Sequence, residues 1–226
     1  MNVKAVKKVC ELNSVNDFFV VPSASDESLP IGALWLANKE EGIPIKCIKE
    51  LYLGRSFNLE YLDKMIKRDD LHKFFDIQKF SSSEDANKKV AELLGNNEIV
   101  SRCTGKEEFG ARALGNRSIL CNPSRFENIE KLNNTIKSRD FWMPFTPSIL
   151  YEDLTKYIVN PKDIFSPYMA ITFNTTKLAK EHFAAAIHPR DHSMRPQAVT
   201  KEWNSSYYNL IDQFKSITGI SGLLNT

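Results

Sequence analysis

The chain has 226 residues, 42% apolar and 26% charged, enough to bury one large core or two small ones and ordinary for a globular protein. A net charge of +2 excludes the global field that would demand nucleic acid or an anionic membrane as partner. Cys10, Cys47, Cys103 and Cys121 form no C-x-x-C pair, MNVKAVKKVCELN lacks the apolar centre of a signal peptide, and no apolar run approaches the ~20 residues of a membrane span; these features predict reduced thiols, a cytoplasmic location and no membrane contact.

In chain order, DFFVVP (17–22) predicts a short strand and LPIGALWLANKEEG (29–42) a helix ending near Gly42. IPIKCIKELYLGRSF (43–57) predicts an extended, proline-punctuated connector and a domain boundary. Residues 58–80 read as helical and mixed in charge. In SSSEDANKKVAELLG, Ser81 and Glu84 have capping-box spacing, Ala86, Val90, Leu93 and Leu94 make one apolar face, and Gly95 is a stop. EIVSRC (98–103) and RSILC (117–121) predict strands, and SRFENIEKLNNTIK (124–137) a helix with a second box at Ser124 and Glu127. SPYMAITF (166–173) predicts a strand, KLAKEHFAAAI (177–187) a helix, and RPQAV (195–199) a strand. NSSYYNLIDQFKSITG (204–219) predicts a helix with Tyr208, Ile211 and Phe214 inward, and ISGLLNT a last strand. Strands and helices alternate without strict βαβ regularity, which predicts α/β with a mixed sheet.

EEFGARALGNRSIL (107–120) carries the chemistry. GARALG fits G-x-x-x-x-G, the front half of a P-loop, but Asn116, Arg117 and Ser118 stand where Lys and Ser/Thr are needed, and charged GKEEF precedes it in place of a buried strand. A Walker-type ATPase is therefore disfavoured. Residues 102–139 hold eight basic against four acidic residues, so a near-neutral chain concentrates positive charge in one segment. Gly110 and Gly115 permit a sharp turn and close backbone approach; Arg112 and Arg117 offer planar forks for phosphate oxygens; the Ser118 hydroxyl can donate to another oxygen. With Lys106 before and Lys137 and Arg139 after, the pattern predicts a site for a small anionic ligand. HPRDH (188–192) offers His188, Asp191 and His192, but Pro189 breaks the helix that would align the two histidines on zinc. His72 reads as a helix-surface residue and His182 as part of an alanine-rich helix face. FWMPF (141–145) reads as packing beneath the arginine site, with adenine stacking as a secondary role.

The ordered runs EEFGARALGNRSILCNPS, LNNTIKSRDFWMPFTPSIL, RPQAVT and YYNLIDQFKSITGISGLLNT resemble the carbamoyltransferases of the nodulation and antibiotic-tailoring type, whose members carry a run like EFGPRALGNRSIL, then N-x-x-I-K-x-R and P-F-A-P. The resemblance runs from about residue 2 to the last residue. It implies that residues 1–42 are the tail of a Kae1-like (actin/kinase-like ATPase) first domain, and that residues 43–226 are a YrdC-like C-terminal domain, short at its end. It further implies binding of ATP, with Mg2+, and carbamoyl phosphate, and formation of carbamoyl-adenylate, whose carbamoyl group the first domain passes to a hydroxyl of a sugar or natural product. Arg112, Arg117, Lys137 and Arg139 would act on the phosphates; Lys106, Gly110, Gly115, Asn116, Ser118 and Arg195 would bind substrate and ATP. Ala111 replaces the family's usual proline, and Met143 stands where many members carry arginine. Iron is implied only in the first domain; Asp26 in SASDES is the one candidate ligand here and needs histidines from that domain. The partners implied are small-molecule substrates and a separate first domain, with no nucleic acid. Two alternatives stand beside this reading: an RNA- or nucleotide-binding YrdC-like module, and an inactive or split fragment that needs a partner domain.

Overall fold

A computed structural model describes residues 2–23, 25–46, 48–68, 70–140 and 142–226, apart from the Leu59 side chain. Its helices are α1 (Val3–Cys10), α2 (Leu29–Glu40), α3 (Leu59–Ile66), α4 (Ser83–Gly95), α5 (Glu127–Leu132), α6 (Leu154–Tyr157), α7 (Lys177–His182) and α8 (Ser205–Thr218). Its strands are β1 (Val100–Cys103), β2 (Arg117–Cys121), β3 (Thr146–Leu150), β4 (Ile158–Val159), β5 (Asn174–Thr175), β6 (Gln197–Val199) and β7 (Gly222–Asn225).

Five strands form one sheet in the order β1-β2-β7-β3-β6. All neighbours are antiparallel except β3 and β6, which run parallel. The sheet is thus mixed and flanked by helices, as the alternating pattern predicts. β4 and β5 make a separate two-stranded ribbon. The last strand in sequence lies at the centre of the sheet. Leu223 and Leu224 on it are fully buried.

Helix α8 explains how the core closes. Asn204 caps it by accepting from Tyr207 N at 3.0 Å, and Gly219, at φ +76°, ends it in the left-handed turn that glycine tolerates best. Tyr207, Leu210, Ile211 and Phe214 then face inward, against Ala91 and Leu94 of α4 and against β3 and β7. The inward tyrosine is Tyr207, not Tyr208. The latter is only part-buried and donates from its hydroxyl to Glu152.

Other expectations shift for identifiable reasons. DFFVVP is extended but joins no ladder; Phe19 is 78% exposed, and β-branched and aromatic residues make a strand only where a neighbour pairs with them. SPYMAITF is interrupted by Met169 at φ +54° and makes one bridge, Phe173 with Met194. Capping of α4 falls one residue later than its box predicts, on Ser82, which accepts from Asp85 N at 3.1 Å. Ser124 caps nothing, because its amide and hydroxyl both donate to the Asn122 side chain. The predicted 124–137 helix therefore starts at Glu127, and it widens into a π turn over Asn133–Lys137. The helix expected over 58–80 is confined to α3 and a single turn at Leu71–Lys73, and that over 177–187 breaks after His182.

The described residues of the connector 43–57 form no regular element, yet they are tied to the glycine motif. Gly54 N donates to Glu107 O at 3.0 Å, Glu107 N to Arg55 O at 3.1 Å and Phe109 N to Leu51 O at 2.7 Å. Leu51 and Tyr52 bury against Leu114 and Met169 in a second small core.

Gly222 is where β3, β7 and the 183 region meet. A Cβ there would lie 2.5 Å from Ser148 O and 2.8 Å from the Phe183 ring. Gly222→Ala is expected to lower stability by ~1–3 kcal/mol, the usual cost of overpacking. Gly32→Ala, in open space on α2, is expected to raise it by up to ~1 kcal/mol through helix propensity. Urea unfolding midpoints check both.

Candidate functional site

The turn between β1 and β2 is held on every side. Gly110 at φ +100° and Gly115 at φ +115° set its corners. Gly115 admits no side chain: a Cβ would fall 2.2 Å from the Tyr207 ring. Each carbonyl of the arch 113–115 has a side-chain donor: Asn225 on Ala113 O at 3.1 Å, Gln197 and Tyr52 on Leu114 O at 2.8 Å each, and Arg102 on Gly115 O at 2.9 Å. On the other side the amides of Leu114, Asn116 and Arg117 all donate to Oε1 of Glu108, at 2.8, 2.7 and 3.1 Å. Ser118 Oγ accepts from Gly115 N at 3.0 Å. The amides that a P-loop would turn toward phosphate are here turned onto a carboxylate of the same loop.

This architecture divides the predicted residues into two groups. Arg117 borders the cleft, but its guanidinium donates to Thr104 O at 2.7 Å and Asn116 O at 2.9 Å, with Gly105 O and Arg55 O farther off, and lies 4.8 Å from the Phe57 ring. Asn116 is buried, donating to Lys106 O and accepting from Asn204. Gly115 and Asn116 line no part of the cleft, and Lys106 stands exposed outside it. Gly110, Arg112, Arg117, Ser118, Lys137, Arg139 and Arg195 do line it, with Phe145, Thr146 and Asn225.

The cleft measures about 680 Å³. Arg112 projects from the arch, Lys137 from the π turn after α5, Arg139 from just beyond Ser138 at φ +47°, and Arg195 from the approach to β6. Among the described residues no carboxylate pairs with any of these four. Burial, then the charges of Arg112 and Arg139, lowers the Arg195 pKa to about 10. Burial, then Arg139, lowers that of Lys137. A guanidinium remains protonated at neutral pH all the same, so the shift is a free-energy cost first of burying the charge and then of gathering cations around it. An anion of suitable size would relieve it.

A second cleft of about 600 Å³ shares Arg112, Arg139 and Arg195 with the first and continues past Met143 and Thr172 to Lys4 and His188. Here the HPRDH loop makes an ion cluster. Asp191 accepts from Lys4 Nζ at 2.6 Å and from Ser193, and lies 3.2 Å from His188 Nδ1. Against its burial, the hydrogen bonds from Lys4 and Ser193 hold its carboxyl well below the usual range. His192 is exposed, and the described residues contain no group of three His, Cys, Asp or Glu able to hold a metal ion. Phe141 lies outside the described residues; Trp142 and Met143 are exposed, and only Phe145 of that run packs as core, under Arg139 at 5.6 Å. Burial pushes the Cys121 thiol up to about 12, leaving it un-ionised.

Sequence reasoning missed Glu108, Arg102 and Asn225. Glu108 is one residue before the apolar start of the motif and looks like any surface acid. Arg102 has its guanidinium on Asn87, Ser206 and Gly115 O, contacts that join three distant segments. Arg195→Met is expected to raise the thermal midpoint of the ligand-free protein by removing an unpaired, part-buried charge. It should also abolish the rise that millimolar inorganic phosphate gives the unsubstituted chain. The cost in the parent is present at every pH below about 10 and falls only as the pH rises above that value; thermal unfolding at pH 7 and 9 should therefore give the same sign.

Residues 91–226 match the family model of the carbamoyltransferase C-terminus. An uncharacterized protein of Methanocaldococcus jannaschii is 34% identical over 226 residues, covering 100% of this chain and 42% of that protein. Nodulation protein NolO of Bradyrhizobium diazoefficiens is 32% identical over 214 residues, covering 93% of this chain and 38% of its own length. The chain thus spans about two fifths of the curated relatives it matches. Among solved structures, HypF from T. kodakarensis overlaps 67% of this chain and 18% of its own, at 18% identity and a TM-score of 0.44. On the family match, the chain belongs to the carbamoyltransferase C-terminal family.

Proposed function

We propose that this region binds ATP and carbamoyl phosphate and forms carbamoyl-adenylate for transfer to a hydroxyl of a sugar or natural product. The observation that carries the reading is the cleft in which Arg112, Lys137, Arg139 and Arg195 have no carboxylate partner among the described residues. The family description supports carbamoyl transfer. With one water, ATP and carbamoyl phosphate give carbamoyl-adenylate, pyrophosphate and phosphate. Apart from the water, every reactant and product of that step carries phosphate oxygens, and negative charge builds on them as bonds break. Fixed cations in a preorganised cleft suit such a step better than a general base does. Arg112, Lys137, Arg139 and Arg195 would hold those oxygens. Gly110, Gly115, Asn116, Arg117 and Ser118 would keep the arch that presents Arg112, and Lys106 would act only by its charge at the rim. Mg2+ would arrive on the nucleotide phosphates.

On the same reading residues 1–42 are the tail of a Kae1-like first domain and residues 43–226 the YrdC-like domain, working in the cytoplasm with reduced thiols. The tail's behaviour supports this. Helix α2 buries none of its residues, and Leu29, Leu34 and Leu36 are more than half exposed. An apolar helix left uncovered fits a surface that the rest of a longer protein covers. The iron and the acceptor hydroxyl would belong to that first domain, with Asp26, which opens the turn before α2, as this chain's one ligand. No helix among the described residues is long and apolar enough to cross a membrane.

Calorimetric titration with ATP and with carbamoyl phosphate is expected to show 1:1 binding that Arg195→Ala weakens at least about tenfold, the cost of one charge-assisted contact. Binding of both unchanged in that variant contradicts the reading. Release of pyrophosphate only when both ligands are present would mark the adenylate step.

A further inference from the structure

The arch 108–117 poses an electrostatic puzzle. Glu108 lines a cleft in which Arg112, Lys137, Arg139 and Arg195 have no carboxylate partner among the described residues, yet its own carboxylate pairs with none of them. One oxygen instead gathers three backbone amides at 2.7–3.1 Å. By charge alone a carboxylate at this place opposes any anion entering the cleft. Its geometry does something else. The three amides belong to residues six, eight and nine positions along an arch with glycines at both corners, so without a common acceptor they would turn to water and the arch would open. The amide anchor and the side chains on the carbonyls of 113–115 together hold the arch from both sides directly after Arg112.

Resting on the anion-binding reading above, we infer that Glu108 is a positioning residue: its carboxylate closes the arginine arch from inside and so aims Arg112 into the cleft. It takes the place that a ligand phosphate holds among the amides of a P-loop. Ligand phosphate is left to the side-chain cations. The preorganisation outweighs the repulsion of one added negative charge.

Two substitutions separate geometry from charge. Glu108→Asp keeps the charge but is one methylene too short to reach the three amides. Glu108→Gln loses the charge but keeps an acceptor oxygen at the same reach. Carbamoyl phosphate affinity, by titration of the whole chain, is expected to fall at least about tenfold in Glu108→Asp and to stay within about threefold of the parent, or tighten, in Glu108→Gln. Amide hydrogen exchange at Leu114, Asn116 and Arg117 should accelerate in the aspartate variant only, with thermal midpoints of both variants close to the parent. Parent-like affinity and exchange in Glu108→Asp would overturn the inference, as would equal losses in both variants. Exchange needs no ligand, so if the parent itself fails to bind carbamoyl phosphate, the functional reading falls while the exchange comparison still decides the role of Glu108.

Discussion

Cations that no acid among the described residues neutralises are the constraint from which the rest of this structure follows. Arg112, Lys137 with Arg139, and Arg195 come from three separate stretches of chain, and the part-buried Lys137 and Arg195 would gain by turning to water. The fold prevents it. A π turn and a left-handed Ser138 set Lys137 and Arg139, the approach to β6 sets Arg195, and a tied arch sets Arg112. Holding like charges together lowers stability in the free protein, and this is the usual mark of a site that expects a ligand to supply the missing charge.

The arch reaches that end differently from a P-loop. A P-loop offers amides to phosphate and adds one lysine. Here the amides are occupied by Glu108, and both arginines border the cleft, but the Arg117 guanidinium is bonded to backbone carbonyls. The sheet beneath takes part as well. Gln197 on β6, Asn225 on β7 and Ser148 on β3 form one buried network: Ser148 Oγ donates to Gln197 at 2.6 Å, and Asn225 Nδ2 donates to Ser148 at 2.9 Å. Gln197 and Asn225 then reach up to the arch carbonyls. The order β2-β7-β3-β6 is therefore also the order of supports under the loop. Misplacing any of these strands would move Arg112.

The sequence reveals most of the regular elements because their signals are local. The serine box that starts α4, one residue off its cap at Ser82, and the 204–219 span and apolar spacing of α8 need no knowledge of the rest. It misleads where the outcome depends on a partner. DFFVVP has strand propensity but no strand beside it, and SPYMAITF is bent by Met169. At the site, residue types and spacing mark the segment 106–139 and Arg195, since glycine corners and clustered bases are visible in one dimension. They do not tell Arg112 from Arg117, because that difference lies in carbonyls of residues 55, 104 and 105 that the fold brings to Arg117. Nor do they mark Glu108, whose role exists only once the arch has closed around it.

The most direct measurement is an NMR titration of the arginine Nε–Hε groups with carbamoyl phosphate. The account predicts that Arg112, Arg139 and Arg195 shift together along one saturating curve while Arg117, already bonded to carbonyls, stays still. A large shift at Arg117 with none at the other three, or no saturable shift at any arginine, would contradict it.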